Sequence, residues 1–167
     1  MIELRNINKY YQSGTEKIHA LKNINLVFPQ KGLIFILGPS GCGKSTLLNL
    51  LGGLDKADEG EIFIENRAFS SFSKQDLNNY LNSYLGFVFQ EYNILKDLNL
   101  YENISLPLEI QNVPKKVINE KVKKTIEDVD LKSLDKRRIN ELSGGQRQRI
   151  AIARALIKDP KLIIADE

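Results

Sequence analysis

Hydrophobic positions follow two rhythms along this chain. The first ninety or so residues are dominated by short apolar or alternating runs closed by turn residues. Residues 2–12 read as a strand entering a turn at Ser13-Gly14, and residues 18–28 (IHALKNINLVF) as a half-buried strand closed by Pro29 and Gly32. Residues 33–37 (LIFIL) are continuously apolar and bounded by glycine, which predicts a strand buried on both faces of a parallel sheet. A glycine-rich loop follows, then a helix through TLLNLL (46–51) that Gly52-Gly53 ends. Residues 60–66 (GEIFIEN) and 84–90 (YLGFVFQ) read as strands. Between them, Ser73 and Asp76 have capping-box spacing, which predicts a helix over 74–83.

From 91 to 140 the rhythm becomes helical. Ile118, Val122, Ile126 and Val129 recur at helical spacing with Lys and Glu between them, the pattern of one amphipathic helix. Pro107 and Pro114 are expected to break the stretch before it. Another helix runs from Gln146 to Ile157 and ends before Pro160. Leu162 to Ala165 is a short apolar strand that runs into two acids.

Composition narrows the class. The chain has 167 residues, the length of one domain, with 42% hydrophobic and 27% charged residues, which excludes a disordered polymer. A net charge of +3 is too small to imply a polyanion binder. The basic clusters KVKK (121–124) and KRR (136–138) read as solvated helix surface rather than nucleic-acid contacts, so no nucleic-acid partner is expected. One cysteine rules out an internal disulfide framework and fits a reducing, cytoplasmic setting. No apolar run reaches the length of a membrane helix, and the start is not a signal peptide. Any membrane-spanning work therefore falls to another chain.

Three motifs carry chemistry. GPSGCGKS (38–45), followed by Thr46, fits G-x-x-x-x-G-K-[ST] between an apolar run and a helix, the context of a phosphate-binding P-loop. Gly38, Gly41 and Gly43 let the backbone curl its N–H groups inward, with Pro39, Ser40 and Cys42 completing the loop. Lys44 would bridge the β- and γ-phosphates, and the Ser45 hydroxyl would ligate Mg²⁺. LSGGQRQR (142–149) opens a helix with a Ser-Gly-Gly corner, either a second anion site or a plain cap with Ser143 as N-cap. LIIADE (162–167) brings Asp166 and Glu167 out at the C-terminal end of a buried strand, where ligands sit in open α/β sheets; the plainer alternative is a charged strand end facing solvent. Asp166 would hold the Mg²⁺ water shell and Glu167 would orient or deprotonate the attacking water.

Together these motifs resemble the nucleotide-binding subunit of ATP-binding cassette (ABC) transporters. GPSGCGKST is similar to that family's Walker A motif, LSGGQ to its signature and LIIADE to its Walker B. Gln90 in GFVFQ matches the Q-loop glutamine, and Tyr11 in LRNINKYY falls where the family places an adenine-stacking aromatic. STLLNLLGGLDKADEGEI resembles the branch serving lipoprotein release, macrolide and antimicrobial-peptide export, and cell-division complexes. The resemblance implies an α/β P-loop NTPase fold with a RecA-like parallel sheet core, a small antiparallel β subdomain and a helical subdomain near 91–140, all within one domain spanning 1–167. It implies an ATPase using ATP and Mg²⁺, in which two copies dimerise head to tail. Tyr11, Gly38 to Thr46, Gln90, Asp166 and Glu167 would come from one copy, and Ser143, Gly144, Gly145 and Gln146 from the other. Lys44, Gln90 and Glu167 would take the catalytic roles; Ser45, Gln90 and Asp166 would hold the metal. A membrane-spanning permease would dock near Gln90 and residues 91–140, placing the subunit on the inner face of the membrane.

Some features depart from the family. Its D-loop and switch histidine would follow Glu167, where this sequence ends. That histidine's strand lies between the Walker A and Walker B strands, so LIFIL and LIIAD are expected to face a gap, and the chain reads as a fragment of a longer protein. His19 lies too far upstream to be the switch and reads as a surface strand histidine. Asn78, Asn79, Asn82 and Ser83 stand where relatives often carry arginines. Cys42 reads as a tolerated small residue, the alternative being a thiol whose modification blocks nucleotide. The rival functions are a nucleotide-binding remnant without catalysis and a non-transport ABC ATPase. The long coiled coil of the repair type and the second cassette of the translation type are both missing from this sequence.

Overall fold

Antiparallel pairing organises the N-terminal part of the molecule. The structure, a computed structural model, describes residues 1–166 except Ser133, Asp135 and Lys136. Its contacts divide it into two compact units, Met1–Leu77 and Asn78–Glu167.

In the first unit, β1 (Ile2–Ser13) pairs antiparallel with β2 (Glu16–Phe28) through the predicted turn at Gly14. After the glycine-rich loop comes α1 (Lys44–Leu51), then β3 (Glu59–Ile64) and the two-residue β4 (Arg67–Ala68), giving a sheet of order β2-β1-β3-β4. Ile2, Leu4 and Ile7 of β1 are buried with Ile62 and Ile64 of β3 and Leu47, Leu50 and Leu51 of α1. By contrast β2 buries only Leu21, so it is an exposed edge rather than the expected half-buried strand.

Residues 33–37 depart from the prediction. No strand pairs with them among the described residues, and Leu33, Phe35 and Leu37 are 79%, 73% and 88% exposed. A strand exists only where neighbours satisfy its N–H and C=O groups, and apolarity alone cannot supply them.

The predicted capping box is present before α2 (Lys74–Asn79). The Asp76 N–H donates to Ser73 Oγ (3.1 Å) and the Ser73 N–H to Asp76 Oδ2 (3.0 Å). The helix is shorter than expected. Tyr80–Tyr84 form one wide π-type turn in which the buried Tyr80 ring stacks on Tyr84.

The second unit contains β5 (Leu85–Val88), α3 (Leu100–Ile110), α4 (Lys115–Asp128), α5 (Gly144–Leu156) and β6 (Leu162–Ala165). β5 and β6 pair in parallel. Ile118, Val122 and Ile126 of α4 face a core with Leu100, Ile104 and Leu108 of α3 and Ile150 and Ala153 of α5, as the periodicity predicts. Gly86 of β5 lies against α5: a Cβ there would stand 2.7 Å from the Ala155 carbonyl oxygen.

Pro107 does not break the chain; it sits inside α3. A helix-interior proline costs about 3 kcal/mol, which burial of Leu100, Ile104 and Leu108 can offset at roughly 1.5–3 kcal/mol each. Asn103, fully buried one turn earlier, secures the same helix. Its Nδ2 donates to the carbonyls of Leu95, Leu98 and Asn99, and its Oδ1 accepts from the Leu95 N–H. Pro114, by contrast, is the N-cap residue of α4, ahead of the first helical residue, where its missing N–H breaks no intrahelical bond.

Candidate nucleotide-binding site

The glycine-rich loop and the start of α1 form the first part of the site. Gly43, the N-cap residue, has φ 97°, and a Cβ there would lie 2.7 Å from the Ala20 carbonyl oxygen of β2. Only glycine meets both constraints. No side chain caps α1, and its first turn holds no acid. The N–H groups at this terminus, with the helix dipole, favour an anion. Lys44 folds back over the loop, its Nζ donating to the carbonyls of Gly38 (2.8 Å) and Pro39 (2.9 Å). Ser40, Gly41, Cys42 and Ser45 are exposed around it, and Thr46 is partly buried. Lys44 Nζ also lies 4.0 Å from Cys42 Sγ.

Tyr11 reaches this loop from β1. Its hydroxyl donates to Asp55 Oδ2 (2.8 Å), and the Thr46 side chain in the first turn of α1 is a second hydrogen-bond partner. Burial and then the Asp55 bond push the phenol's pKa above its ordinary value, against the Thr46 contact. The residue remains 38% exposed, enough to offer ring surface to a ligand.

The other predicted residues lie in the second unit. Val88 pairs with Ala165, so Gln90 and Asp166 both emerge at the C-terminal end of the parallel pair, and the Asp166 N–H donates to the Val88 carbonyl (3.0 Å). β5 stops at Val88, which leaves Gln90 in an exposed turn rather than in the predicted strand. Glu167 lies outside the described residues.

Ser143 caps α5. Its Oγ accepts from the Gln146 N–H (3.3 Å), while Gln146 Oε1 accepts from the Ser143 N–H (2.8 Å). Gly144 and Gly145 are exposed, with nothing within 4 Å of where a Cβ would stand. His19 is a β2 residue stacked on Tyr10 (4.3 Å between centroids) and bonded through Nε2 to Asn8 Oδ1, which agrees with a structural role.

Two groups escaped sequence reasoning. Lys9, Asp55 and Asp58 gather around Tyr11: Lys9 Nζ donates to Asp55 Oδ1 and to the Lys56 carbonyl, both at 2.8 Å. The only sequence hint is that Lys9 and Tyr11 share one face of a strand. Arg154 of α5 donates to the carbonyls of Tyr92 and Asn93 (both 2.8 Å), holding a turn just after Gln90 in which both residues have positive φ. An arginine in an otherwise apolar helix run (AIARAL) was the available signal.

Known proteins resemble this chain over its whole length. The chain is 42% identical to the Uncharacterized ABC transporter ATP-binding protein MJ0796 of Methanocaldococcus jannaschii, over all of this chain and 73% of that protein. It is 41% identical to the Lipoprotein-releasing system ATP-binding protein LolD of Saccharophagus degradans, again over the whole chain and 73% of the relative. A solved dimer of the MJ0796 cassette bound to ADP and Pi superposes with a TM-score of 0.93 at 38% identity, covering all of this chain and 74% of that one. Residues 21–167 match the ABC transporter family throughout, and with its phosphate loop, signature helix and acid-tipped strand in the family's order, the chain belongs to that family.

Proposed function

We propose that this chain is the ATP-binding and ATP-hydrolysing part of a subunit that powers a membrane transporter or extraction complex by head-to-tail dimerisation around MgATP. The observation that carries the proposal is the loop at 38–46: a left-handed Gly43, an uncapped helix start and Lys44 folded over the loop make a cradle for a polyphosphate. In the dimer, Tyr11 stacks on the base, and Ser143, Gly144, Gly145 and Gln146 of the second copy reach the γ-phosphate. The Ser45 hydroxyl, Gln90 amide oxygen and Asp166 carboxylate are hard oxygen donors, the kind Mg²⁺ accepts beside phosphate oxygens. An ion held by these donors would neutralise charge developing on the phosphates. Glu167 positions the water that attacks the γ-phosphorus, with Gln90 and Lys44 completing the catalytic set. Among the described residues no helix is long and apolar enough to cross a membrane. In this proposal the subunit is peripheral, docked on a membrane-spanning permease through residues near Gln90 and the helical subdomain at 91–140. The dimeric MJ0796 structures and the transporter names of the relatives support this reading.

The test is sizing of the full-length protein carrying Glu167→Gln, with and without MgATP. A shift from monomer to dimer on adding MgATP, abolished by Lys44→Ala, is the expected result. A monomer under all conditions overturns the dimer mechanism and favours a nucleotide-binding remnant.

A further inference from the structure

A cluster of bonded charges in the first unit lies beside the proposed base-stacking tyrosine. Asp55 follows the end of α1, 44 positions beyond Tyr11 in the chain. Both its carboxylate oxygens are engaged: Oδ1 accepts from Lys9 Nζ (2.8 Å) and the Lys56 N–H (2.7 Å), and Oδ2 accepts from the Tyr11 hydroxyl (2.8 Å). Lys9 is 8% exposed, an unusual place for an ammonium unless partners surround it. Those partners are Asp55, the Lys56 carbonyl and, at 4.0 Å, Asp58. Lys9 Nζ also stands over the Tyr11 ring, 5.1 Å from its centroid, within cation–π reach. The 55–58 loop is itself fastened to β1, because the Asp58 N–H donates to the Asn8 carbonyl (3.0 Å) and Asp58 Oδ2 accepts from the Tyr10 N–H (2.7 Å).

A tyrosine ring on a strand edge can turn about two side-chain bonds. Here its hydroxyl is tied to Asp55, and an ammonium covers one face. The residue's 38% exposure leaves ring surface for a flat ligand. We infer that Asp55 and Lys9 form a positioning clamp that holds the Tyr11 ring in stacking orientation beside the phosphate loop, so that recognition of the nucleoside is set by a carboxylate that touches no part of the nucleotide. The inference rests on Tyr11 being the base-stacking residue. It adds that a tyrosine, and not merely an aromatic ring, is needed at this position, because the hydroxyl is the clamp's handle.

The clamp separates base recognition from phosphate recognition, and titration calorimetry can read the two apart. ATP probes both, whereas inorganic tripolyphosphate probes the phosphate loop alone. In the unaltered chain ATP is expected to bind more tightly than tripolyphosphate, and Tyr11→Ala should erase most of that preference. Loss of orientation rather than of the ring should cost less: Tyr11→Phe and Asp55→Asn should each lower the preference by about 3- to 10-fold, a fraction of a stacking contact. The Tyr11→Phe/Asp55→Asn double variant should lose less than the sum of the two single losses, since both variants disrupt the Tyr11–Asp55 bond. Tripolyphosphate affinity should not move in any of them. If Tyr11→Ala lowers the preference while Tyr11→Phe and Asp55→Asn leave it intact, the clamp is overturned and the stacking reading stands. If Tyr11→Ala itself has no effect, stacking and clamp both fall. If Asp55→Asn weakens ATP and tripolyphosphate equally, Asp55 merely supports the fold. Because Tyr11→Phe leaves the charge pair in place, it tests the clamp even if Asp55→Asn does not fold.

Discussion

Two helices in this chain begin at glycine-rich corners, and they begin in opposite ways. α1 starts from a left-handed Gly43 with no side-chain cap, and Lys44 is folded over the preceding loop. α5 starts from an extended Ser143 whose hydroxyl joins Gln146 in a reciprocal box. Neither has an acid in its first turn, although the dipole would favour one. At α1 the loop geometry does the work of a cap, and the glycine is compulsory. At α5 the side chains close the terminus themselves, and the glycines keep the surface low and open. One corner is a cradle folded around its own lysine; the other is a finished helix end whose small residues allow another surface to approach.

That contrast can be broken most directly with alanine. Gly43→Ala forces a Cβ into the left-handed region and against the Ala20 carbonyl, so a loss of about 2–4 kcal/mol is expected by denaturant unfolding. Gly144→Ala meets nothing within 4 Å and should be neutral or stabilising by at most about 1 kcal/mol. Equal losses at the two positions would erase the distinction between them. A smaller effect separates the caps themselves. Ser143→Ala removes the α5 cap and should cost about 1 kcal/mol, whereas Ser143→Gly should cost only a few tenths. Equal thermal melts for both variants and the unaltered chain would mean the box contributes nothing.

The smallest effect concerns pH and belongs to the cradle's unit. Burial raises the pKa of Asp55, but bonds from Lys9, Tyr11 and the Lys56 N–H outweigh it and hold the carboxyl below its ordinary value. An unfolded aspartate protonates near pH ~3.9. The stabilisation is therefore complete above that pH and is lost as pH falls through the lower, folded value. Melting temperature plotted against pH should show an acid limb that Asp55→Asn makes shallower. An unchanged limb would show that the carboxylate is not held this way.

Legibility differed by element for physical reasons. The capping box at Ser73, the N-cap at Ser143, the amphipathic face of α4 and the P-loop turn were readable because each depends on residues a few positions apart. Pro107 misled, since its local cost is overridden by the burial of three neighbours and by Asn103, whose partners lie in the loop before the helix. The run at 33–37 misled in the other direction. Its composition says buried strand, but a strand is a property of a pair, and no strand pairs with it among the described residues.

The sequence by itself determined the family, the order of the motifs and the residues proposed to meet a nucleotide, because those signals are local chemistry at fixed spacing. Only the tertiary structure decided how these residues are held. The Tyr11 hydroxyl on Asp55, the buried Lys9 ammonium and the Arg154 bonds to the turn after Gln90 each join residues distant in sequence or mutually oriented across elements. No spacing rule encodes such contacts. They follow from which strands pair, which helices pack and which buried polar groups then need partners.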